Sequence, residues 1–306
     1  MSRYQPAATR ALPWRGGLVM VLALLVASPG CGGGAADSTA AGAATVATPT
    51  PDAAPPPATA DGVPAGYRLV WSDEFDNPGL PDAGKWVHDT GRNAAGWYNN
   101  ERQYYASNRA ANAVVADGKL LITARLESLR SAADWGGQRY TSARLITRGQ
   151  AEWTYGFFEV RAKLPCGQGT WPAIWTLASQ GTWPDAGELD ILEQVGSNPS
   201  RVFSTVHTRV SAGPGTGGAT AVGDACTAFH NYQMTWTASE ISFAVDGRTH
   251  YRYPNPGAGA STWPFDAPQF LILNLAVGGD LGGAVDDAIF PVALQLEHVR
   301  VYQLPR

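Results

Sequence analysis

Apolar and polar residues alternate along much of the chain between residues 65 and 306. The pattern is clearest in residues 158–164, 232–236 and 241–245, where every second residue is apolar. A period of two is typical of strands with one buried face. The third segment ends at Asp246-Gly247, a dipeptide that favours a tight hairpin turn. Short strands separated by turns rich in Gly and Pro predict an all-β, antiparallel sandwich.

One apolar run departs from this pattern because it contains three acids. Residues 183–196 read Trp-Pro-Asp-Ala-Gly-Glu-Leu-Asp-Ile-Leu-Glu-Gln-Val-Gly. In an extended strand Glu188 and Asp190 share one face, whereas Glu193 comes one residue too late to join them. A single β-bulge after Ile191 returns Glu193 to that face. The alternative is a solvated acidic edge strand, but the flanking positions are too apolar for a solvated face.

Three acids on one strand face repel and desolvate one another, so their presence indicates a function. Cleavage of a glycosidic bond needs one carboxylate to attack the anomeric carbon and one carboxyl group to protonate the leaving sugar, and a separation of roughly 5–5.5 Å gives retention of configuration. Glu188 and Glu193 are the candidates for these two roles. Asp190, between them, keeps the pair electrostatically unequal.

The acidic segment resembles the signature of glycoside hydrolase family 16, in the branch with one extra bulge residue (Glu-x-Asp-x-x-Glu). Within that branch it is most similar to bacterial endo-1,3-β-glucanases, the laminarinases. The resemblance runs from about residue 66 to the C-terminus. Supporting motifs occur in the family's order at residues 71–76, 99–105, 140–144, 155–165, 169–175, 204–208, 263–266, 270–279 and 299–302.

The resemblance implies a fold, a reaction and roles for the three acids. The fold is a β-jelly roll of two curved sheets whose concave face forms an open substrate cleft. The reaction is endo-acting hydrolysis of 1,3-β-glucan with retention, through a covalent glycosyl-enzyme. Glu188 is then the nucleophile, Glu193 the general acid/base, and Asp190 the residue that hydrogen-bonds and tunes the nucleophile.

Several aromatic and polar residues near the acids are candidates for substrate contacts. Indole rings pack against the apolar C–H faces of sugars and keep an N–H group for a hydroxyl, although a tryptophan in an apolar run also suits a core. By resemblance, His207 lies in the cleft near the acid/base, and two further polar residues match positions that touch sugar hydroxyls. The predicted substrate-binding residues are Trp171, Trp175, Trp183, His207, Asn99 and Arg144. Asn274 is a polar residue in an apolar strand and needs a partner, either substrate or backbone.

The N-terminal residues have the composition of an export signal and a tether. Residues 1–30 join a basic start to an apolar core at 17–27 that is too short to span a bilayer comfortably, which predicts a signal peptide. The segment ending at Cys31 resembles a lipoprotein cleavage site, so lipidation of Cys31 and ordinary cleavage nearby are both open. Residues 31–64 are rich in Ala, Pro, Gly and Thr and predict a disordered linker, leaving 65–306 as the catalytic domain.

Cysteine use and charge limit the partners. With Cys31 lipidated or removed, Cys166 and Cys226 remain as an even pair in an oxidising compartment, and we expect a disulfide between them. The formal net charge is −4, without a basic stripe for nucleic acid, so a monomer acting on a neutral polysaccharide is expected. The chemistry requires no cofactor and no metal. Many family members hold a structural calcium through backbone carbonyls and an Asp shortly before the last strand. Glu297 stands at that place here and keeps an oxygen ligand, so a structural calcium is possible.

Three alternative functions differ in substrate or class. The same fold acts on mixed-linkage β-glucan or on an algal galactan in other branches of the family, and a non-catalytic glucan-binding lectin is a third reading. The bulge residue Leu192 argues against the branches that use the unbulged Glu-x-Asp-x-Glu pattern. The segment 183–187 before the acids favours glucan over galactan. The intact acids argue against a lectin.

Overall fold

The structure, a computed structural model, describes residues 62–305. The predicted signal peptide, Cys31 and most of the predicted linker therefore lie outside the described residues. Within residues 62–305, no helix is both long and apolar enough to cross a membrane. The described part of the chain consists mainly of strands, as the alternation of apolar and polar residues predicts.

Seventeen strands and one helical turn lie in the described residues. In chain order they are β1 (Arg68–Asp73), β2 (Val87–His88), β3 (Gln103–Tyr105), β4 (Ala113–Ala116), β5 (Lys119–Leu126), β6 (Tyr140–Ser142), β7 (Arg144–Ile146), β8 (Gly156–Lys163), β9 (Thr170–Ala178), β10 (Glu188–Gln194), β11 (Arg201–His207), β12 (Thr216–Ala221), β13 (His230–Trp236), β14 (Glu240–Val245), β15 (Arg248–Pro254), β16 (Gln269–Val277), α1 (Gly279–Gly282) and β17 (Val292–Gln303). Three 3-10 turns cover Tyr98–Asn100, Arg209–Ser211 and Asp287–Ile289.

The strands form two sheets that enclose one apolar core. The larger sheet has the order β15-β14-β13-β8-β17-β5-β6-β3, with β1 beside β17 and β4 beside β5. The smaller, seven-stranded sheet has the order β12-β11-β10-β9-β16-β7-β2. Core residues come from both sheets, for example Val160 from β8 and Leu189 from β10. This arrangement is the predicted sandwich, and it leaves the outer face of the smaller sheet to carry the acids.

Local sequence explains the strands that were predicted most clearly. On β14 buried residues alternate with half-buried ones, as the period of two requires. The turn to β15 is Asp246-Gly247, and both residues have positive φ angles, 50° and 75°. Such angles match a two-residue hairpin turn whose twist suits the flanking strands. The predicted hairpin is therefore confirmed.

One pair of strands departs from the antiparallel prediction. β3 and β6 are parallel, with Gln103 opposite Tyr140 and Tyr105 opposite Ser142. Parallel neighbours need a long crossover connection. Here the connection between β3 and β6 contains the antiparallel hairpin of β4 and β5. Local alternation of apolar residues contains no information about such a connection.

A disulfide joins Cys166, after β8, to Cys226, before β13, with the two Cα atoms 5.7 Å apart. This distance lies in the usual range for a disulfide, and the predicted pairing is present. We expect the double variant Cys166→Ser/Cys226→Ser to lose about 2–4 kcal/mol of unfolding free energy, because the bridge closes a long loop. Denaturant unfolding of the oxidised protein and the variant measures the difference. Equal stability of the two proteins would contradict a stabilising bridge.

Candidate active site

β10 contains an irregularity at the place where the sequence predicts a bulge. On the β9 side, Asp190 pairs with Trp175 and Leu192 pairs with the adjacent Ile174. Ile191 therefore has no partner on β9. On the β11 side the register shifts between Asp190 and Glu193. Ile191 and Leu192, although consecutive, are both buried in the core. The bulge therefore absorbs one residue and returns Glu193 to the face of Glu188, as predicted.

Removal of the bulge residue tests how much catalysis depends on this geometry. Deleting Leu192 restores regular alternation, but β9 and β11 are shaped for the bulge, so the glutamates shift relative to each other. Because a displacement of about 1 Å at reacting groups costs roughly 100-fold in rate, we expect a loss of that size or more. Hydrolysis rates and thermal unfolding measure the effect. Full activity of the deletion variant would show that the bulge does not set the acid geometry.

Each of the two glutamates accepts a hydrogen bond from an indole ring. Trp183 Nε1 donates to Glu188 Oε2 at 2.6 Å, and Trp171 Nε1 donates to Glu193 Oε1 at 3.0 Å. Trp183 is 52% exposed, so this indole belongs to the cleft surface rather than the core. Trp171 is buried. An exposed indole therefore holds Glu188, and a buried indole holds Glu193.

The strand next to β10 adds two further polar contacts. His207 pairs with Glu188 across the strands, and its Nε2 lies 3.1 Å from Asp190 Oδ2. The hydroxyl of Thr205 hydrogen-bonds to Glu193. His207 thus contacts the acid cluster through Asp190, and it also influences the pKa of Glu193, the acid/base near which the sequence analysis placed it.

Burial changes the acidity of all three carboxyl groups. It raises the pKa of Glu188 to about 8, with a further upward contribution from Asp190. It also raises the pKa of Glu193 to about 7 and that of Asp190 well above its ordinary value. The indole N–H groups partly oppose the shifts at the glutamates because a donor stabilises a carboxylate. The cluster therefore keeps protons near neutral pH that isolated carboxyl groups lose.

A chain of hydrogen bonds extends the cleft floor from β9 to β3. Trp175 Nε1 donates to Asn274 Oδ1 at 2.7 Å, and Asn274 Nδ2 donates to the Tyr105 hydroxyl at 3.0 Å. Tyr105 in turn donates to Glu101 Oε2 at 3.3 Å. The partners of Asn274 in the structure are thus two side chains, neither of which the sequence analysis named. The cost of burying Asn274 explains why it is paired.

Arg144 lies between two tryptophan rings at the same end of the cleft. Its guanidinium carbon is 4.7 Å from the Trp175 ring centroid and 5.2 Å from that of Trp97. Its Nε is 2.9 Å from Asp89 Oδ2. Contacts of this kind hold a guanidinium in one place. Arg144 therefore offers fixed donors to a ligand on β7.

Asn99 occupies a different kind of place from the other predicted residues. It is exposed in the 3-10 turn Tyr98–Asn100, with a positive φ of 56°. The next residue but one, Glu101, forms a bridge with Gly278 at the end of β16. The structure thus places Asn99 near the end of β16, whereas Trp171, Trp175, Trp183 and His207 lie next to the acids.

Sequence reasoning missed several residues of this face. Thr205 lies two positions before His207 on β11, so alternation alone was enough to place it on the same face. Glu101 and Tyr105 lie within a motif that was recognised, but the bond between Tyr105 and Asn274 depends on pairing between distant strands. Phe203 lies opposite Glu193. Alternation along β11 also places Phe203 on the face of Thr205 and His207, but its pairing with Glu193 depends on the register shift in β10.

Two groups of residues bear on metal binding. In the described part of the chain, Glu188, Asp190 and His207 form the set whose ligand atoms lie within 4.8 Å of one another, and these are atoms of the acid cluster. Glu297, the predicted position of a structural calcium ligand, instead accepts a hydrogen bond from Arg161 Nε at 2.6 Å. A guanidinium at that distance satisfies the charge of Glu297. The carboxylate does not fit a calcium site in this arrangement.

Comparison with known proteins identifies the class to which this fold and site belong. Residues 100–288 match the model of the glycosyl hydrolases family 16, and the chain belongs to this family. It is 50% identical over 252 residues to the beta-glucanase of Rhodothermus marinus, covering 78% of this chain and 85% of that protein. The protein is therefore a glycoside hydrolase, and the two sheets are the β-jelly roll of this family.

Two solved structures are similar to this fold. SCLam, a non-specific endo-β-1,3(4)-glucanase crystallised with a sugar at its active site, is 48% identical, with a TM-score of 0.77 over 78% of this chain and 96% of that chain. The laminarinase of Rhodothermus marinus is 49% identical, with a TM-score of 0.73 over 78% of this chain and 98% of that chain. Both confirm the resemblance to bacterial endo-1,3-β-glucanases.

Proposed function

We propose that the protein hydrolyses internal bonds of 1,3-β-glucan with retention of configuration. The observation that carries the proposal is the bulge in β10, which brings Glu188, Asp190 and Glu193 to one face of the cleft. The names of the relatives support the substrate, because both the laminarinase and SCLam act on 1,3-β-glucans. The aromatic and polar floor around Trp175 and Arg144 suits a polysaccharide with apolar ring faces and many hydroxyl groups.

The reaction proceeds in two displacements at the anomeric carbon. In the first, the Glu188 carboxylate forms an ester with this carbon while the bond to the leaving oxygen breaks, and that oxygen takes the proton of Glu193. In the second, Glu193, now ionised, takes a proton from water as the water oxygen attacks the same carbon. Glu188 leaves as a carboxylate, and Glu193 ends protonated. Two inversions restore the original configuration.

The protonation of Asp190 explains how Glu188 is ionised despite its raised pKa. The pKa of Glu188, about 8, lies above that of Glu193, about 7, which is the reverse of what these roles need. Burial and the charge of Glu193 hold the pKa of Asp190 well above its ordinary value, so Asp190 keeps a proton. A protonated Asp190 carries no charge, so it no longer repels the carboxylate of Glu188. Loss of this repulsion favours the ionised nucleophile.

Product analysis on four polysaccharides tests this function. The purified protein is incubated with laminarin, lichenan, agarose and carrageenan, and the released oligosaccharides are separated. We expect the highest rate on laminarin, with products of several lengths, and a β anomer as the first product in proton NMR spectra. A higher rate on a galactan, or an α anomer first, would contradict the proposal.

Mixed-linkage β-glucan is the second candidate substrate. It is favoured by the similarity to SCLam, which is non-specific between the two glucans. The lichenan sample in the same experiment measures it directly. Cleavage of lichenan at a rate equal to that on laminarin would place this protein with non-specific enzymes.

We propose that the enzyme is exported. The basic and apolar composition of residues 1–30 and the disulfide between Cys166 and Cys226 support an oxidising compartment outside the cytoplasm. Lipidation of Cys31 and ordinary cleavage nearby are distinguished by the mass of the mature protein. Gel filtration of that protein tests the expected monomer.

We propose further that neither catalysis nor folding depends on calcium at Glu297. The Arg161 side chain supplies the positive charge there, at 2.6 Å from the Glu297 carboxylate. Dialysis against EDTA is expected to leave the unfolding temperature and the hydrolysis rate unchanged, and added calcium should not raise the unfolding temperature. A ligand that binds the native state raises it, so a concentration-dependent increase with calcium would contradict this proposal.

A further inference from the structure

The smaller sheet has more strands on one side of β10 than on the other. Four strands, β9, β16, β7 and β2, lie on one side, and two strands, β11 and β12, lie on the other. Each strand adds about 4.8 Å to the width of a sheet. A glucan chain that crosses the strands over the acids therefore has about twice as much floor on the β9 side as on the β11 side.

The β9 side has the hydrogen-bonding groups that the reacting sugar needs. Trp175, Asn274 and Arg144 lie on successive strands and are fixed by one another. The sugar that becomes the glycosyl-enzyme gains hydrogen bonds in the transition state, so its side of the cleft benefits most from fixed donors and acceptors. The leaving sugar needs only to be held until the bond breaks. This contrast assigns the β11 side to the leaving group.

Phe203 is the aromatic side chain that β11 presents to the cleft. It lies directly opposite Glu193, and cross-strand partners share a face of the sheet. Its neighbours Val202 and Ser204 are buried on the other face, whereas Phe203 is only half-buried. The ring is therefore not needed to fill the core. It lies beside the residue that protonates the leaving oxygen.

The edge strand β12 places only small residues beside Phe203. Its residues opposite Thr205 and Phe203 are Gly217 and Ala219, so no side chain larger than a methyl group comes from these positions. Arg201 pairs across the sheet with Ala221, and its guanidinium carbon lies over the Phe203 ring at 5.9 Å from the centroid. An aromatic ring beside small residues offers a flat surface on which a pyranose ring can pack.

We propose that Phe203 is the binding platform for the first β-glucosyl unit of the leaving group, in a short site formed by β11 and β12. The inference rests on the proposed function, since it assumes a glucan that crosses β10. The two strands give room for about two sugar units at about 4.8 Å per strand. The same site receives the sugar acceptor when the glycosyl-enzyme transfers its sugar to another oligosaccharide instead of water.

Two substrates that share the reacting sugar and differ in the leaving group test this platform. Laminaritetraose has a sugar leaving group, whereas β-laminaribiosyl fluoride releases fluoride, which has no ring to pack. We expect Phe203→Ala to lower kcat/KM on laminaritetraose about tenfold, the size of one aromatic packing contact, with the loss confined to the substrate that has a sugar leaving group. Phe203→Tyr, which keeps the ring, is expected to restore most of the activity.

A matched control and a second readout separate binding from damage to the fold. Phe229 is also half-buried and lies near the cations of Arg161 and Lys163, but it precedes β13 in the other sheet, so Phe229→Ala should change neither rate. Transfer from the fluoride to added laminaribiose should fall in Phe203→Ala, because the acceptor uses the same site.

The possible outcomes distinguish failure of the Phe203 platform from failure of the proposed function. An equal loss of Phe203→Ala on both substrates would place the ring with the reacting sugar or in the structure and would overturn the platform. No loss on either substrate would overturn it as well. If the unmodified enzyme cleaved neither substrate but cleaved another polysaccharide, the proposed function would fail rather than the platform.

Discussion

Glu188→Gln is expected to lower the rate of laminarin hydrolysis by about 10⁴–10⁶-fold, as removal of a nucleophile does in other enzymes. The amide does not form the ester with the anomeric carbon, and the partner Glu193 alone gives no second displacement. The side chain keeps its shape and remains an acceptor for the Trp183 N–H group, which is 2.6 Å from the carboxylate in the native protein. The loss is therefore chemical rather than structural.

A matched variant shows whether the effect belongs to this position. Glu152 is exposed in the loop before β8, so Glu152→Gln removes an equal charge outside the cleft and should leave the rate unchanged. Initial rates on laminarin and circular dichroism spectra of the three proteins are compared. A Glu188→Gln variant within tenfold of the native rate would show that another group is the nucleophile.

Glu193→Gln is expected to lower laminarin hydrolysis by about 10²–10⁴-fold, the usual contribution of a general acid. A substrate whose leaving group departs without a proton should still form the glycosyl-enzyme in this variant. Azide, which needs no general base, should then restore turnover and give a β-glycosyl azide. Near-normal laminarin hydrolysis by Glu193→Gln would contradict its role as the proton donor.

The raised pKa of Glu193 predicts the pH dependence of the native enzyme. The first step needs Glu193 with its proton, so kcat/KM on laminarin should fall as the pH rises through about 7. With the activated substrate, Glu193→Gln should lose this decrease. Initial rates between pH 5 and 9 measure both profiles, and an unchanged decrease in the variant would assign it to another group.

The same pKa shift predicts that stability, like kcat/KM, falls as the pH rises. A carboxyl group whose pKa is higher in the folded state binds more protons there than in the unfolded state, so stability falls as the pH rises from the ordinary pKa to the raised one. For Glu193 this interval ends at about 7. Above a pH of about 7, Glu193→Gln should unfold at a higher temperature than the native protein, because the amide carries no buried charge. A cooperative unfolding transition also shows that the variant is folded.

The central features of the site could be predicted from sequence because they are local. Glu188, Asp190 and Glu193 lie within six residues, and the one-residue delay of Glu193 requires a bulge if all three share a face. The alternation on β14 and the turn at Asp246-Gly247 are similarly local. Each of these predictions is confirmed by the register of the strands.

The features that could not be predicted depend on which distant strands become neighbours. Asn274 needed a partner, but its bond to Tyr105 joins residues that are 169 positions apart. The pairing of Glu297 with Arg161 joins residues 136 positions apart and gives the Glu297 carboxylate a partner within the protein. The parallel pair of β3 and β6 has the same origin. Packing between sheets decides such contacts, and single-strand patterns do not record them.

Trapping of the glycosyl-enzyme tests the central claim most directly. A 2-deoxy-2-fluoro-β-laminaribiosyl fluoride slows the second displacement more than it prevents the first, so the sugar stays bound to the nucleophile. Digestion and mass spectrometry then locate the added sugar. The account predicts one sugar residue per protein, attached to Glu188. Attachment to Glu193, or inactivation without a covalent sugar, would contradict the double displacement on which the assignments of Glu188, Asp190 and Glu193 depend.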